Sequence, residues 1–265
     1  MREVQVYGLD GNEKGKVSLP EVFSVRFRPD VIHRVYVLQR THVLQPKGRD
    51  PMAGERTSAT SWQTGHGVAR VPRVKGERYS RSGMAAGVAS VIKGRLPHPP
   101  KAWKVIYKRV NKKERLLALA SAISATSLRD VVLGRGHKVE NVPSLPLVVT
   151  SDFEEVSKAK DVVNTLKLLG LGEELQRVKN GIKSRSGKSR IRGRVKKVPV
   201  GPLIVVSSLK NQLKKATENI PGLKVVDVDS LSVLDLVPGG HPIRLTIWTE
   251  SAVNRLNERF KGVVT

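Results

Sequence analysis

The chain has 265 residues, of which 48 are Lys or Arg and 23 are Asp or Glu, giving a net charge of +25. Cysteine is absent, which excludes thiolate catalysis, disulfides and Cys-based zinc sites. The longest apolar run is Leu116 to Ala120, and the start Met1-Arg2-Glu3-Val4-Gln5 carries an early acid, so neither a membrane span nor a signal peptide is expected.

The surplus charge is segregated. Residues 46–109 hold 14 basic and 3 acidic side chains, and residues 177–197 hold 10 basic and none acidic. The other 180 residues carry a balance of only +4. A near-neutral body thus presents two polycations, and the partner that suits them best is a dense polyanion such as nucleic acid, whose counterions are released on binding. The basic stretches lack the apolar face that an interfacial membrane helix needs.

In chain order, Val4 and Val6, a turn at Asp10-Gly11, and Val17 with Leu19 predict a hairpin over residues 2–19. Pro29 and Asp30 suit a helix start, and Val31, Ile32, Val35 and Leu38 continue it at helical spacing until Pro46 forbids more. Residues 46–101 show no lasting periodicity and form an extended basic loop, which reaches at most on the order of 90 Å if it runs out and back at about 3.3 Å per residue. Alone it is expected to be disordered. Asn111 offers a cap for a helix ending near Thr126. A strand at Leu145–Thr150 and a helix from Phe153 to Leu169, capped by Ser151 or Asp152, come next. After the second basic segment, 177–199, the alternation resumes. The expected elements are strand Leu203–Ser207, helix Leu209–Thr217, strands Leu223–Val228 and Ile243–Thr249, and a helix from Asn254 to Phe260. Apolar strands between amphipathic helices predict one α/β domain over residues 1–265 with a mostly parallel sheet.

Gly187-Lys188-Ser189 looks like the end of a P-loop, but the required earlier glycine is Ile182, no buried strand precedes it, and the alternation of Arg190 to Arg194 argues against a following helix. What remains is a flexible strip in which Lys183, Arg185, Lys188, Arg190, Arg192, Arg194, Lys196 and Lys197 approach phosphates. The six histidines are scattered, with no metal-ligand spacing and no triad, so no cofactor or metal is expected. In the long loop, Arg56, Arg70, Arg73, Lys75, Arg78, Arg81, Lys93 and Arg95 are candidate phosphate contacts. Trp62 and Tyr79 are candidate base-stacking groups and His66 a base contact. Trp103 and Tyr107 read as core or hinge residues beside the helix at 111. Asp227, Asp229 and Asp235 read as caps and turns rather than catalytic groups.

Ser61-Trp62-Gln63-Thr64-Gly65, Val68-Ala69-Arg70-Val71-Pro72-Arg73-Val74-Lys75-Gly76, Arg81-Ser82-Gly83, Arg109-Val110-Asn111, Gly136-His137-Lys138-Val139-Glu140, Leu145-Pro146-Leu147-Val148-Val149, Arg185-Ser186-Gly187-Lys188 and Gly201-Pro202-Leu203-Ile204-Val205 occur in order over most of the chain. In them the chain resembles the family of large-subunit ribosomal protein four, in its archaeal and eukaryotic form. That resemblance implies a three-layer α/β/α body, a non-catalytic role in the large subunit of cytoplasmic ribosomes, and contacts with ribosomal RNA and neighbouring ribosomal proteins. It also implies a loop reaching the polypeptide exit tunnel, with Arg73, Lys75 and Arg78 as candidates to face the tunnel and the nascent polypeptide. Gly76-Glu77-Arg78-Tyr79 stands where members of the family often carry several glycines, and the long C-terminal extension of the eukaryotic members is missing, which implies an archaeal or similarly short protein. A P-loop-like nucleotide-binding enzyme and a free chromatin-type protein are the alternatives, separated by a magnesium-dependent nucleotide titration and by competition between duplex DNA and ribosomal RNA.

Overall fold

The computed structural model describes residues 3–241 and 243–260, so Arg2, the first residue of the expected hairpin, lies outside the described residues. Strand β1 (Glu3–Tyr7) pairs antiparallel with β2 (Glu13–Ser18), and helix α1 spans Pro29–Arg40. The two-residue strands β3 (Thr60–Ser61) and β4 (Pro72–Arg73) follow. Next come α2 (Lys112–Ala125), α3 (Arg129–Gly134), β5 (Leu147–Val149), α4 (Ala159–Leu166) and α5 (Gly172–Asn180). The second basic segment contributes β6 (Lys183–Ser184), α6 (Gly187–Ile191) and β7 (Lys196–Lys197). The remainder is β8 (Leu203–Val206), α7 (Asn211–Glu218), β9 (Lys224–Asp227), α8 (Val233–Leu236), β10 (Thr246–Thr249) and α9 (Glu250–Phe260).

Six strands form one sheet in the order β2-β1-β5-β10-β8-β9, parallel except for the β1/β2 hairpin. Every residue of β5, β8 and β10 is buried, as strands covered on both faces must be, and β5 and β8 are apolar throughout. Trp248 of β10, opposite Val148 and Val205 in the ladders, meets the Phe23 ring edge-on with centroids 5.6 Å apart. Helices α1, α2 and α8 pack on one another, and α4 packs on α7. Within α2 two serines tie the incoming chain down: Ser121 Oγ donates to the Arg26 carbonyl (3.0 Å) and accepts from the Arg28 N–H (2.7 Å), and Ser124 Oγ donates to the Val25 carbonyl. The body is α/β with a mostly parallel sheet.

The structure corrects several expected boundaries. The helix expected from Phe153 starts only at Ala159, because Ser151–Glu155 makes a single 3₁₀ turn that aims Glu154 inward. There the carboxylate accepts from the Ser207 N–H (2.9 Å) and from the hydroxyls of Ser207 (2.9 Å), Thr249 (2.7 Å) and Ser251 (2.5 Å), at the carboxyl ends of β8 and β10. Burial pushes this carboxyl up, and the four donors outweigh it and hold it below its ordinary value. The helix then continues past Leu169 as α5, with a break at Gly170, whose φ is 82° and whose added Cβ would lie 2.2 Å from the Asn141 carbonyl oxygen. Asn111 occupies the position before α2 without donating or accepting a capping bond, and α3 and α8 are additional short helices. The strands begin later than their apolar runs, since Leu145, Pro146 and Ile243 to Leu245 lie outside the ladders, and the last helix begins at Glu250 rather than Asn254.

The chain divides into two compact units, one formed by the residues up to Arg40 and from Arg109 onward, the other by Thr41–Lys108. The expected loop, 46–101, falls inside the second unit.

Candidate nucleic-acid interface

The second basic segment is a small hairpin. Lys183 pairs with Lys197 and Ser184 with Lys196, and the Arg185 N–H donates to the Val195 carbonyl at 2.8 Å. Its tip is α6, which corrects the expectation that no helix follows Gly187-Lys188-Ser189. This helix is five residues long and preceded by the two exposed residues of β6, not by a buried strand, so the arrangement is still not that of a P-loop. Lys183, Lys188, Arg190, Arg192, Arg194, Lys196 and Lys197 are exposed and Arg185 is half-buried. Among the described residues none of the eight has a carboxylate within ion-pairing distance. Bringing eight cations together without counter-charge costs free energy in the isolated chain, and a polyanion removes that cost.

Both ends of the hairpin are held by buried groups. Arg177, at the foot of its first strand, grips Glu174 through Nε (2.8 Å) and Nη2 (2.6 Å), and Nη2 also donates to the Val200 carbonyl (2.7 Å). Arg177 and Lys179 therefore belong to α5, not to a free basic strip beginning at 177. Glu174, fully buried, also accepts from the Lys138 N–H (3.0 Å) and from Nδ1–H of His137 (2.7 Å). Burial pushes its carboxyl up, but Arg177, His137 and Lys138 outweigh burial and hold it at about 2. Burial likewise lowers His137, against the pull of Glu174, so the imidazole is neutral. Past Val200, Arg244 is buried and donates to the carbonyls of Gly201 (2.5 Å), Pro202 (3.0 Å) and Gly222 (2.6 Å), and burial brings it down to about 10. Sequence reading missed this clamp. Glu174 at three residues before Arg177 was a visible pair, but nothing local pointed to His137 or Arg244.

In the unit Thr41–Lys108, β3 pairs antiparallel with β4, Thr60 opposite Arg73, and a third segment joins through Val74 N–H to Met84 O (2.9 Å) and Ala86 N–H to Pro72 O (2.9 Å). Arg73 lies inside this knot: its Nη1 donates to the Gly83 carbonyl (2.9 Å) and its guanidinium carbon sits 5.6 Å from the Trp62 ring centre. Trp62 also faces His66 at 5.7 Å. Tyr79 donates to the Lys75 carbonyl and covers Gly76, and Ser82 donates to the Gly76 carbonyl. Arg70, Lys75, Arg78 and Arg81 are exposed around this knot, and Lys93 is exposed farther along the loop. Two other candidates are partly occupied by carboxylates. Arg56 forks onto Asp50, which it holds below the usual carboxylate range, and Arg95 Nε lies 3.9 Å from Glu55. Trp103 and Tyr107 are not core residues, being 75 % and 59 % exposed. No cluster of His, Asp and Glu able to hold a metal occurs among the described residues, and none of their helices is long and apolar enough to cross a membrane.

The chain has relatives among known proteins. The model of the "Ribosomal protein L4/L1 family" matches residues 17–259. A relative from Methanococcus aeolicus named "Large ribosomal subunit protein uL4" is 48 % identical over 258 residues, covering 97 % of this chain and all of the relative. Proteins of the same name from Methanococcus vannielii and Sulfolobus acidocaldarius are 47 % identical over 257 residues and 44 % over 261, covering 97 % and 98 % of this chain and 99 % and 96 % of their own.

Proposed function

The chain belongs to the ribosomal protein L4/L1 family, and from that membership we propose how its two basic elements serve it. It is a non-enzymatic, structural constituent of the large ribosomal subunit in the cytoplasm, with ribosomal RNA and other ribosomal proteins as its partners. The hairpin 183–197 and the loop 46–101 are its RNA-binding elements. The loop extends toward the polypeptide exit tunnel, where exposed cations at its tip, Lys75 and Arg78 first among them, meet the nascent polypeptide.

The observation that carries this reading is the contrast between anchored and unpaired charge. Arg177 and Arg244 are spent on fixing the ends of the hairpin, while the eight cations between them have no carboxylate among the described residues. Phosphates are the groups that such an arrangement accepts, and they position a protein without reading sequence. Arg73, by contrast, is spent on the loop's own carbonyls and on Trp62, so its role is to shape the tip.

The deciding measurement is competition at physiological salt between a transcript of large-subunit ribosomal RNA and duplex DNA of equal length, together with sedimentation of the cellular pool. Preference for the transcript and co-sedimentation with the large subunit are the expected results. Equal affinity for duplex DNA, with a pool that sediments freely, would sink the reading in favour of a chromatin-type protein.

A further inference from the structure

The two ends of the unit Thr41–Lys108 lie side by side. His42 Nε2–H donates to the Lys108 carbonyl (2.9 Å), the Lys108 N–H donates to Thr41 Oγ1 (3.0 Å), and the His42 and Tyr107 rings stack with centroids 4.1 Å apart and planes 14° apart. Next to this seam, within the same unit, opens a cleft of about 890 Å³. Its apolar wall is Leu44, Pro99, Pro100, Trp103, Val105 and Ile106, and its rim carries Lys47, Lys101, Lys104 and Lys108. No carboxylate lines it. Trp103 is 75 % and Val105 86 % exposed, an apolar surface that water solvates poorly.

We propose that this cleft receives one unpaired base of the large-subunit ribosomal RNA, stacked on Trp103, with the phosphates on either side of it held by the rim lysines. The inference rests on the reading of the chain as an RNA-binding ribosomal constituent and deepens it, naming a site at the base of the loop 46–101 that centres on Trp103, just past the loop's end. Charge complementarity selects the occupant. Four lysines and no acid call for an anion, and a flat indole with Lys101 Nζ 5.4 Å from its centre calls for a planar aromatic group. A nucleotide in a single-stranded or bulged stretch supplies both, whereas a paired base presents no free face. The other loop aromatics singled out for stacking are less available, Trp62 being 38 % and Tyr79 46 % exposed against 75 % for Trp103.

The test uses the full chain and a transcript of large-subunit ribosomal RNA at fixed salt. Trp103→Ala is expected to weaken binding roughly 5- to 150-fold, the worth of one base stack, while leaving the salt dependence unchanged because no phosphate contact is removed. Trp103→Phe is expected to keep most of the affinity. Ultraviolet cross-links from residues 101–104 are expected at an unpaired nucleotide. Because Trp103 is largely exposed, its thermal unfolding serves as a check that Trp103→Ala folds as the parent does. Parental affinity in Trp103→Ala would overturn the site. So would an equal loss toward fully paired RNA, or a change in oligomeric state on sedimentation, which would assign the cleft to a second copy of the chain. Failure of the parent chain to prefer the transcript over duplex DNA would instead undo the underlying reading, so the two failures are distinguishable.

Discussion

Nδ1 of His137 lies 2.7 Å from Oε1 of Glu174, both side chains shut off from solvent, and the same carboxylate anchors Arg177 at the foot of the basic hairpin. A buried carboxylate, hydrogen-bonded to a neutral imidazole and ion-paired with Arg177, thus decides where the eight unpaired cations of the hairpin begin. Replacing Glu174 by Gln removes the charge and keeps the volume. The expected cost is about 3 to 5 kcal/mol, as for a broken buried pair, read from the urea midpoint, with faster proteolysis between 181 and 199.

The same pair sets a pH dependence. Glu174 is held at about 2, below its ordinary 4.5, so its contribution is fully present above about 4.5 and is lost as pH falls toward 2. His137 acts in the same direction. Burial lowers it beneath 6.5, the folded state takes up a proton later than the unfolded one, and its stabilisation is present above 6.5 and fades below it. The parent should lose stability steadily from about pH 6.5 downward. His137→Gln should flatten the upper part of that curve and Glu174→Gln the lower part, as measured by denaturant titration at a series of pH values.

Arg244 donates to three carbonyls from a buried position, and at about 10 it keeps its charge at neutral pH. A lysine there keeps the charge but not the planar fork. Arg244→Lys should therefore cost about 1 to 3 kcal/mol through carbonyls left unpaired, with the urea m-value unchanged. An unaltered midpoint would mean that water replaces the guanidinium.

For the hairpin, Lys188, Arg190, Arg192 and Arg194 carry the charge at and beside α6. Changing all four to Ala should lower the slope of log affinity against log salt by roughly 3 to 4, since each phosphate contributes about 0.7 to 0.9. Filter binding between 50 and 200 mM salt is the measurement. Thermal unfolding should not move.

In the loop, Arg73 and Arg78 should behave differently. Arg73→Ala removes the bond to Gly83 and the cover on Trp62, and should raise amide exchange at Val74 and Gly83. Arg78 is exposed beside the knot, so Arg78→Glu should leave exchange alone, while altering translational pausing or sensitivity to tunnel-binding inhibitors without changing subunit assembly. Normal pausing and inhibitor response in such ribosomes would make the tip an RNA anchor only.

Replacement of residues 48–100 by a short Gly/Ser linker should leave cooperative unfolding intact, since the body unit up to Arg40 and from Arg109 holds the six-stranded sheet. Loss of a single thermal transition in that variant would show that the loop is part of the core.

Local patterns carried much of this protein. The charge segregation is a property of composition, the apolar runs Leu147–Val149 and Leu203–Val206 announce strands buried on both faces, and Pro29 and Pro46 bracket the first helix before any contact is known. What sequence could not decide were the pairings between distant residues. Phe153 to Leu169 reads as one amphipathic helix, yet Glu154 turns inward to meet Ser207, Thr249 and Ser251, and Gly170 breaks the helix against Asn141. Arg177 reads as one more cation in a basic run until His137 and Glu174 are brought to it. Trp103 reads as a core or hinge residue beside the helix at 111, and only the folded chain shows it on a lysine-rimmed surface. Periodicity reports the face of an element and composition reports its charge, but which buried polar group finds which partner is decided where elements remote in sequence meet. There an unpaired charge costs more than any local propensity contributes.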